Sequence, residues 1–134
     1  MDISTTPKVH IQTKVKRHLA DTITPVSLYL KVRDHFTVPV LLESNDFSDA
    51  ETCYSFVGLD EFGSFAVQKG TITYQFPGHK KETAPVEDVT TVPRALKGFL
   101  DTFSLEYDGP FKAFNGLFGH VGFEAVQYFD TLEF

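Results

Sequence analysis

Apolar and polar positions along this chain follow two periods. Val9, Ile11, Thr13 and Val15 recur at a period near two, which predicts an edge or half-buried strand over residues 8–16. Thr24 and Pro25 then read as a helix start: a hydroxyl N-cap followed by a proline whose missing N–H costs nothing in the first turn. Val26, Tyr29, Leu30 and the stem of Arg33 follow at i, i+3, i+4 and i+7, so that face is expected to turn inward. Residues 38–42 and 54–59 are short apolar runs, each read as a buried strand, with Pro39 near the start of the first. Residues 62–68 and 70–76 predict a hairpin with Lys69 and Gly70 at its turn, and strict alternation puts Ile72, Tyr74 and Phe76 on one face. Residues 77–91, with His79, Lys80, Lys81 and Pro85, read as a polar loop. A second helix is expected from a Thr91 or Val92 cap with Pro93 in its first turn, its stripe being Leu96, Phe99, Leu100 and Phe103. Residues 107–110 read as a turn, residues 113–121 as a last strand, and a helix is expected from about Phe123.

Separated helices among antiparallel-type strands make the expected class α+β. The 134 residues amount to one domain, large enough to bury about two-thirds of the unfolded surface. The sequence stops at Phe134 inside an aromatic, amphipathic segment, whereas domain ends tend to be polar and exposed. That predicts a longer parent protein.

Composition narrows the partners. The chain is 42% hydrophobic with 14 Phe, which excludes a disordered tail. Its 12 basic and 18 acidic residues, net −6, argue against a nucleic-acid partner, because phosphate binding draws on clustered Lys and Arg. The one basic cluster, Lys14, Lys16 and Arg17, reads as a solvated face. A single cysteine, Cys53, fits a reducing compartment and is expected to be a small buried packing residue. No apolar run reaches the roughly 20 residues of a membrane span, and no basic-then-apolar leader is visible, so a cytoplasmic, membrane-free location is the expectation.

Catalytic chemistry is sparse. His10, His18, His35, His79 and His120 are scattered at spacings that make no metal motif. His120 reads as a packed or partly exposed ring. Gly116, Gly119 and Gly122 match neither a dinucleotide nor a phosphate-loop fingerprint, and are expected to allow bulges or close backbone approach in a crowded strand. No group of residues assembles a nucleophile, a base and an oxyanion site. Leu41-Leu42-Glu43-Ser44 stands apart: a carboxylate and a hydroxyl leaving a buried strand together can hold the ammonium and polar groups of a small zwitterion. The competing reading is a solvated strand end before an acidic loop carrying Asp46, Asp49 and Glu51.

Four segments, in order, resemble the N-terminal part of anthranilate synthase component I, a chorismate-utilising enzyme. They are residues 20–27 (Ala-Asp-Thr-Ile-Thr-Pro-Val-Ser), 41–44 (Leu-Leu-Glu-Ser), 54–59 (Tyr-Ser-Phe-Val-Gly-Leu) and 114–129, which opens Phe-Asn-Gly-Leu-Phe-Gly-His. The resemblance implies a two-layered α/β sandwich built on antiparallel sheets. It implies that residues 1–134 are the N-terminal regulatory region of a lyase converting chorismate to anthranilate in tryptophan biosynthesis. The full-length enzyme uses Mg²⁺ and ammonia delivered by a glutamine amidotransferase subunit. The chorismate and Mg²⁺ residues belong to a C-terminal region that this chain lacks, so no catalytic residue and no cofactor is expected in it.

By the same resemblance the chain supplies half of the tryptophan feedback-inhibition site. Glu43 and Ser44 would meet the effector's amino-acid end, with Leu42 of the same motif, Tyr54 and Ser55 as further effector-binding residues. That shifts residues 41–44 from a solvated strand end to an effector site. Cys53 stands where many members carry Arg, which removes a fixed charge. The para-aminobenzoate synthase branch shares much of the pattern, and a stand-alone aromatic-amino-acid-binding module or a docking surface for the glutaminase are further readings. A fragment would expose apolar surface where its missing layer belongs, and such patches drive homo-oligomers.

Overall fold

A computed structural model describes residues 8–43, 53–110 and 114–129. The protein is mixed α+β, with short strands β1 (Val9–Gln12), β2 (Val40–Glu43), β3 (Ser55–Gly58), β4 (Ser64–Gln68), β5 (Thr71–Gln75), β6 (Glu82–Pro85) and β7 (Phe103–Glu106). The helices are α1 (Pro25–Val32), α2 (Thr91–Asp101) and α3 (Val126–Phe129), with 3₁₀ turns at Arg33–His35 and Phe123–Ala125. The chain divides into two compact units, one of residues 1–15, 62–115 and 121–134, the other of residues 16–61 and 116–120.

The first unit is built on an antiparallel meander in the order β4-β5-β6. Its hairpin turns on Lys69 (φ 50°) and Gly70 (φ 72°), the left-handed pair that a two-residue connection requires to match strand twist. Phe65, Val67, Ile72 and Phe76 lie inward while Ala66, Gln68 and Thr71 lie outward, as the alternation predicts. The α2 stripe covers that face. Phe99 stacks on Phe76 with centroids 5.0 Å apart and meets Phe103 at 5.1 Å and Phe65 at 5.6 Å. Ile72, Phe76, Val92 and Phe99 are all at most 5% exposed. Burying each such side chain contributes about 1.5–3 kcal/mol.

Several expectations change here. Residues 77–91 are not all loop: β6 pairs with β5, Tyr74 opposite Glu82 and Ile72 opposite Ala84. Pro85 had argued for a loop, but it lies at the end of an edge strand, where its missing N–H removes no ladder bond. Helix α2 begins at Thr91 after Asp88, whose carboxylate accepts from the Thr90 N–H (2.7 Å), Thr90 Oγ1 (2.6 Å) and Thr91 Oγ1 (3.2 Å). Its inward stripe is Val92, Ala95, Leu96 and Phe99, with Leu100 outside and Phe103 already on β7. β1 pairs with β7 in parallel, Val9 opposite Phe103, and Thr13 Oγ1 donates to Asn115 Oδ1 (2.9 Å).

The second unit holds α1 against the antiparallel β2–β3 pair. Thr24 and Ser27 close a reciprocal capping box: the Thr24 N–H donates to Ser27 Oγ (3.0 Å) and the Ser27 N–H to Thr24 Oγ1 (3.1 Å). The predicted helix start is therefore in place, but not the predicted face. Tyr29 and Val32 are half-buried, whereas Val26 and Leu30 are exposed. Apolar residues surround this short helix, so spacing alone could not choose the buried side. Gly58 is required where β2 and β3 approach, since a Cβ there would meet Val40 Cγ2 at 2.9 Å. Residues 114–121 form no strand, which overturns the expected last strand; residues 111–113 lie outside the described residues. Nor does crowding explain the glycines there, because a Cβ at Gly116 or Gly119 meets nothing within 4 Å. The helix expected near Phe123 starts as the 3₁₀ turn and continues as α3. Cys53 is exposed just ahead of β3, contrary to the buried role expected of it.

Candidate functional site

The end of β2, the start of β3 and the glycine-rich segment together form an open hollow of about 310 Å³. Its seven lining residues, Leu42, Glu43, Tyr54, Phe56, Leu117, Phe118 and Gly119, all belong to the second unit. Local pairing explains the first four. Leu42 lies opposite Phe56 in the β2–β3 register, so the two side chains share a face. Tyr54 precedes Phe56 by two residues, and their rings sit 6.5 Å apart. Glu43 ends β2 and is exposed at the border of the hollow. The rest comes from far along the chain: the Phe118 ring meets Phe56 at 5.1 Å, tilted by 45°.

Of the sequence-predicted site residues, the structure therefore brings Leu42, Glu43 and Tyr54 together. Ser55 lies opposite Glu43 in the ladder but does not line the hollow. Ser44 lies outside the described residues. Phe56, Leu117, Phe118 and Gly119 were legible as motif residues, yet nothing in their spacing placed them beside Glu43. The arrangement offers one carboxylate next to three aromatic rings and two leucines. That set can hold a flat apolar body with a positively charged end, through ring contact and a charge-assisted hydrogen bond.

Elsewhere the chemistry is structural. Ser104 Oγ hydrogen-bonds His10 Nδ1 across the β1–β7 ladder, an exposed pairing of residues in register that sequence reasoning did not bring together. Tyr74 Oη donates to Glu82 Oε2 (2.8 Å), and burial, with the Glu82 bond and charge behind it, raises the phenol above its usual range. The Thr90 hydrogen bonds hold the Asp88 carboxyl below the usual carboxylate range. Among the described residues, no three His, Cys, Asp or Glu side chains gather to hold a metal ion. No helix among them is long and apolar enough to cross a membrane. No family model, no curated protein and no solved structure matches this chain.

Proposed function

We propose that this chain is the N-terminal regulatory part of anthranilate synthase component I, and that its hollow is half of the tryptophan feedback site. One observation carries this reading. Three of the four segments that resemble the family, those containing Leu42-Glu43, Tyr54-Phe56 and Leu117-Gly119, converge on one hollow although the last lies far from the others in sequence. In this role Glu43 takes the effector's ammonium group, and Leu42, Tyr54, Phe56 and Phe118 flank its indole ring. Ser44 keeps its family-implied role at the amino-acid end, and Ser55 its family-implied place as a further pocket residue.

The packing supports a missing layer. The buried side chains among the described residues, Ile72, Phe76, Val92, Phe99 and Thr102, lie in the first unit and none in the second. Val26, Leu28 and Leu30 on α1 stay 40–51% exposed, as they would where the rest of an α/β sandwich belongs. In this reading Mg²⁺, chorismate and the amidotransferase contacts belong to that remaining part of the enzyme.

The test is direct. Purified protein is titrated against tryptophan and assayed for chorismate consumption with Mg²⁺ and ammonia. Weak tryptophan binding that Glu43→Ala abolishes, together with no turnover, is the expected result. Turnover by this chain alone would overturn the division of labour, and an absence of tryptophan binding would remove the effector site.

A further inference from the structure

Resting on that effector-site reading, we infer that the hollow recognises the ammonium end of an aryl-alkyl amine and does not read a carboxylate, so a decarboxylated aromatic amine binds this chain at least as tightly as the amino acid does. The lining carries one charged side chain, Glu43, and none of its described residues is Lys, Arg or His. Tyr54, Phe56 and Phe118 stand beside that carboxylate, and aromatic faces attract cations as the carboxylate does. The cations of the same unit, such as Lys16, Lys31 and Arg33, come from other segments and do not line the hollow.

A ligand carboxylate entering the hollow meets the like charge of Glu43, while an ammonium group meets an opposite one. Each of these features favours a cationic ligand over a zwitterionic one.

The protein contains no Trp, so indole fluorescence reports the ligand alone. The protein is titrated into tryptamine, tryptophan and indole-3-propionate, with ligand anisotropy followed at low and at high salt. Tryptamine is expected to bind about fivefold tighter than tryptophan at low salt, the gap closing as salt screens the field, with indole-3-propionate weakest. Equal affinity for tryptamine and tryptophan also supports an unread carboxylate. Glu43→Gln, at an exposed strand end and checked for folding by circular dichroism, is expected to bring the tryptamine-to-tryptophan ratio toward one. Tighter binding of tryptophan than of tryptamine would overturn the inference and leave the effector site standing. Tightest binding of indole-3-propionate, or a tryptamine preference that survives Glu43→Gln, would also overturn it. Binding of none of the three would remove the effector-site reading along with the inference.

Discussion

The rings of Phe56 and Phe118 lie 5.1 Å apart, tilted by 45°, so the glycine-rich segment is fastened to β3 by an aromatic pair at the hollow. Such pairs contribute about 0.5–1.5 kcal/mol beyond their buried area. Phe118 is 46% exposed, so its ring contributes less to stability than a fully buried phenylalanine does. Phe118→Ala is expected to weaken indole-ligand binding roughly fivefold, about 1 kcal/mol, and to lower the thermal midpoint by only a few degrees. Ligand anisotropy and a thermal melt on the same variant separate the two effects.

Phe99 is the opposite case. It is 3% exposed and in ring contact with Phe65, Phe76 and Phe103. Phe99→Ala removes the centre of that cluster and is expected to cost about 3–5 kcal/mol, visible as a lower urea midpoint. An unchanged midpoint would mean that this cluster does not hold the first unit together.

At the β4–β5 turn, Gly70 has φ 72° and nothing within 4 Å of where a Cβ would sit. Gly70→Ala should therefore suffer backbone strain without a clash, and lose about 1–2 kcal/mol. Lys69, at φ 50°, is a non-glycine residue in the same region. Lys69→Asn is expected to raise the melting temperature, since Asn tolerates that conformation better and Asn-Gly suits this turn. Paired thermal melts would check both signs.

Acid should reveal Asp88. Its folded carboxyl lies below the ordinary value because Thr90 and Thr91 donate to the ionised form. The stability it contributes is present above the unfolded carboxylate pKa and is lost as pH falls through the folded one. Wild type should accordingly melt higher than Asp88→Ala at neutral pH, and the two should converge in strong acid. Melts at successive pH values measure this, and a difference independent of pH would remove the ionised carboxylate from the account.

Tyr74 gives the alkaline counterpart. Burial first, and the Glu82 hydrogen bond and charge after it, raise its phenol above 10.0. Stability from the protonated phenol is present below the unfolded value and is lost as pH rises through the folded one. Ultraviolet titration should show a late-ionising tyrosine that Tyr74→Phe deletes. If all five tyrosines titrate together in the folded protein, the Tyr74–Glu82 bond is not formed in solution.

Much of the local structure was determined by the sequence itself. Thr24 and Pro25 start a helix because a hydroxyl cap and a fixed φ are chemical properties of those residues. Lys69-Gly70 makes the hairpin turn because glycine enters the left-handed region freely, and Ile72, Tyr74 and Phe76 share a face because strand geometry repeats every two residues. Leu42, Glu43 and Tyr54 were likewise recognisable as site candidates. What only the tertiary structure decided depends on distant partners. The parallel pairing of Val9 with Phe103, the edge strand at Glu82–Pro85 and the inward turn of Tyr29 and Val32 follow from which surfaces needed covering. So does the arrival of Leu117, Phe118 and Gly119 beside Glu43. Local geometry is set by a few neighbouring residues, whereas the choice among several comparably apolar faces is made by whichever contact removes most apolar surface from water.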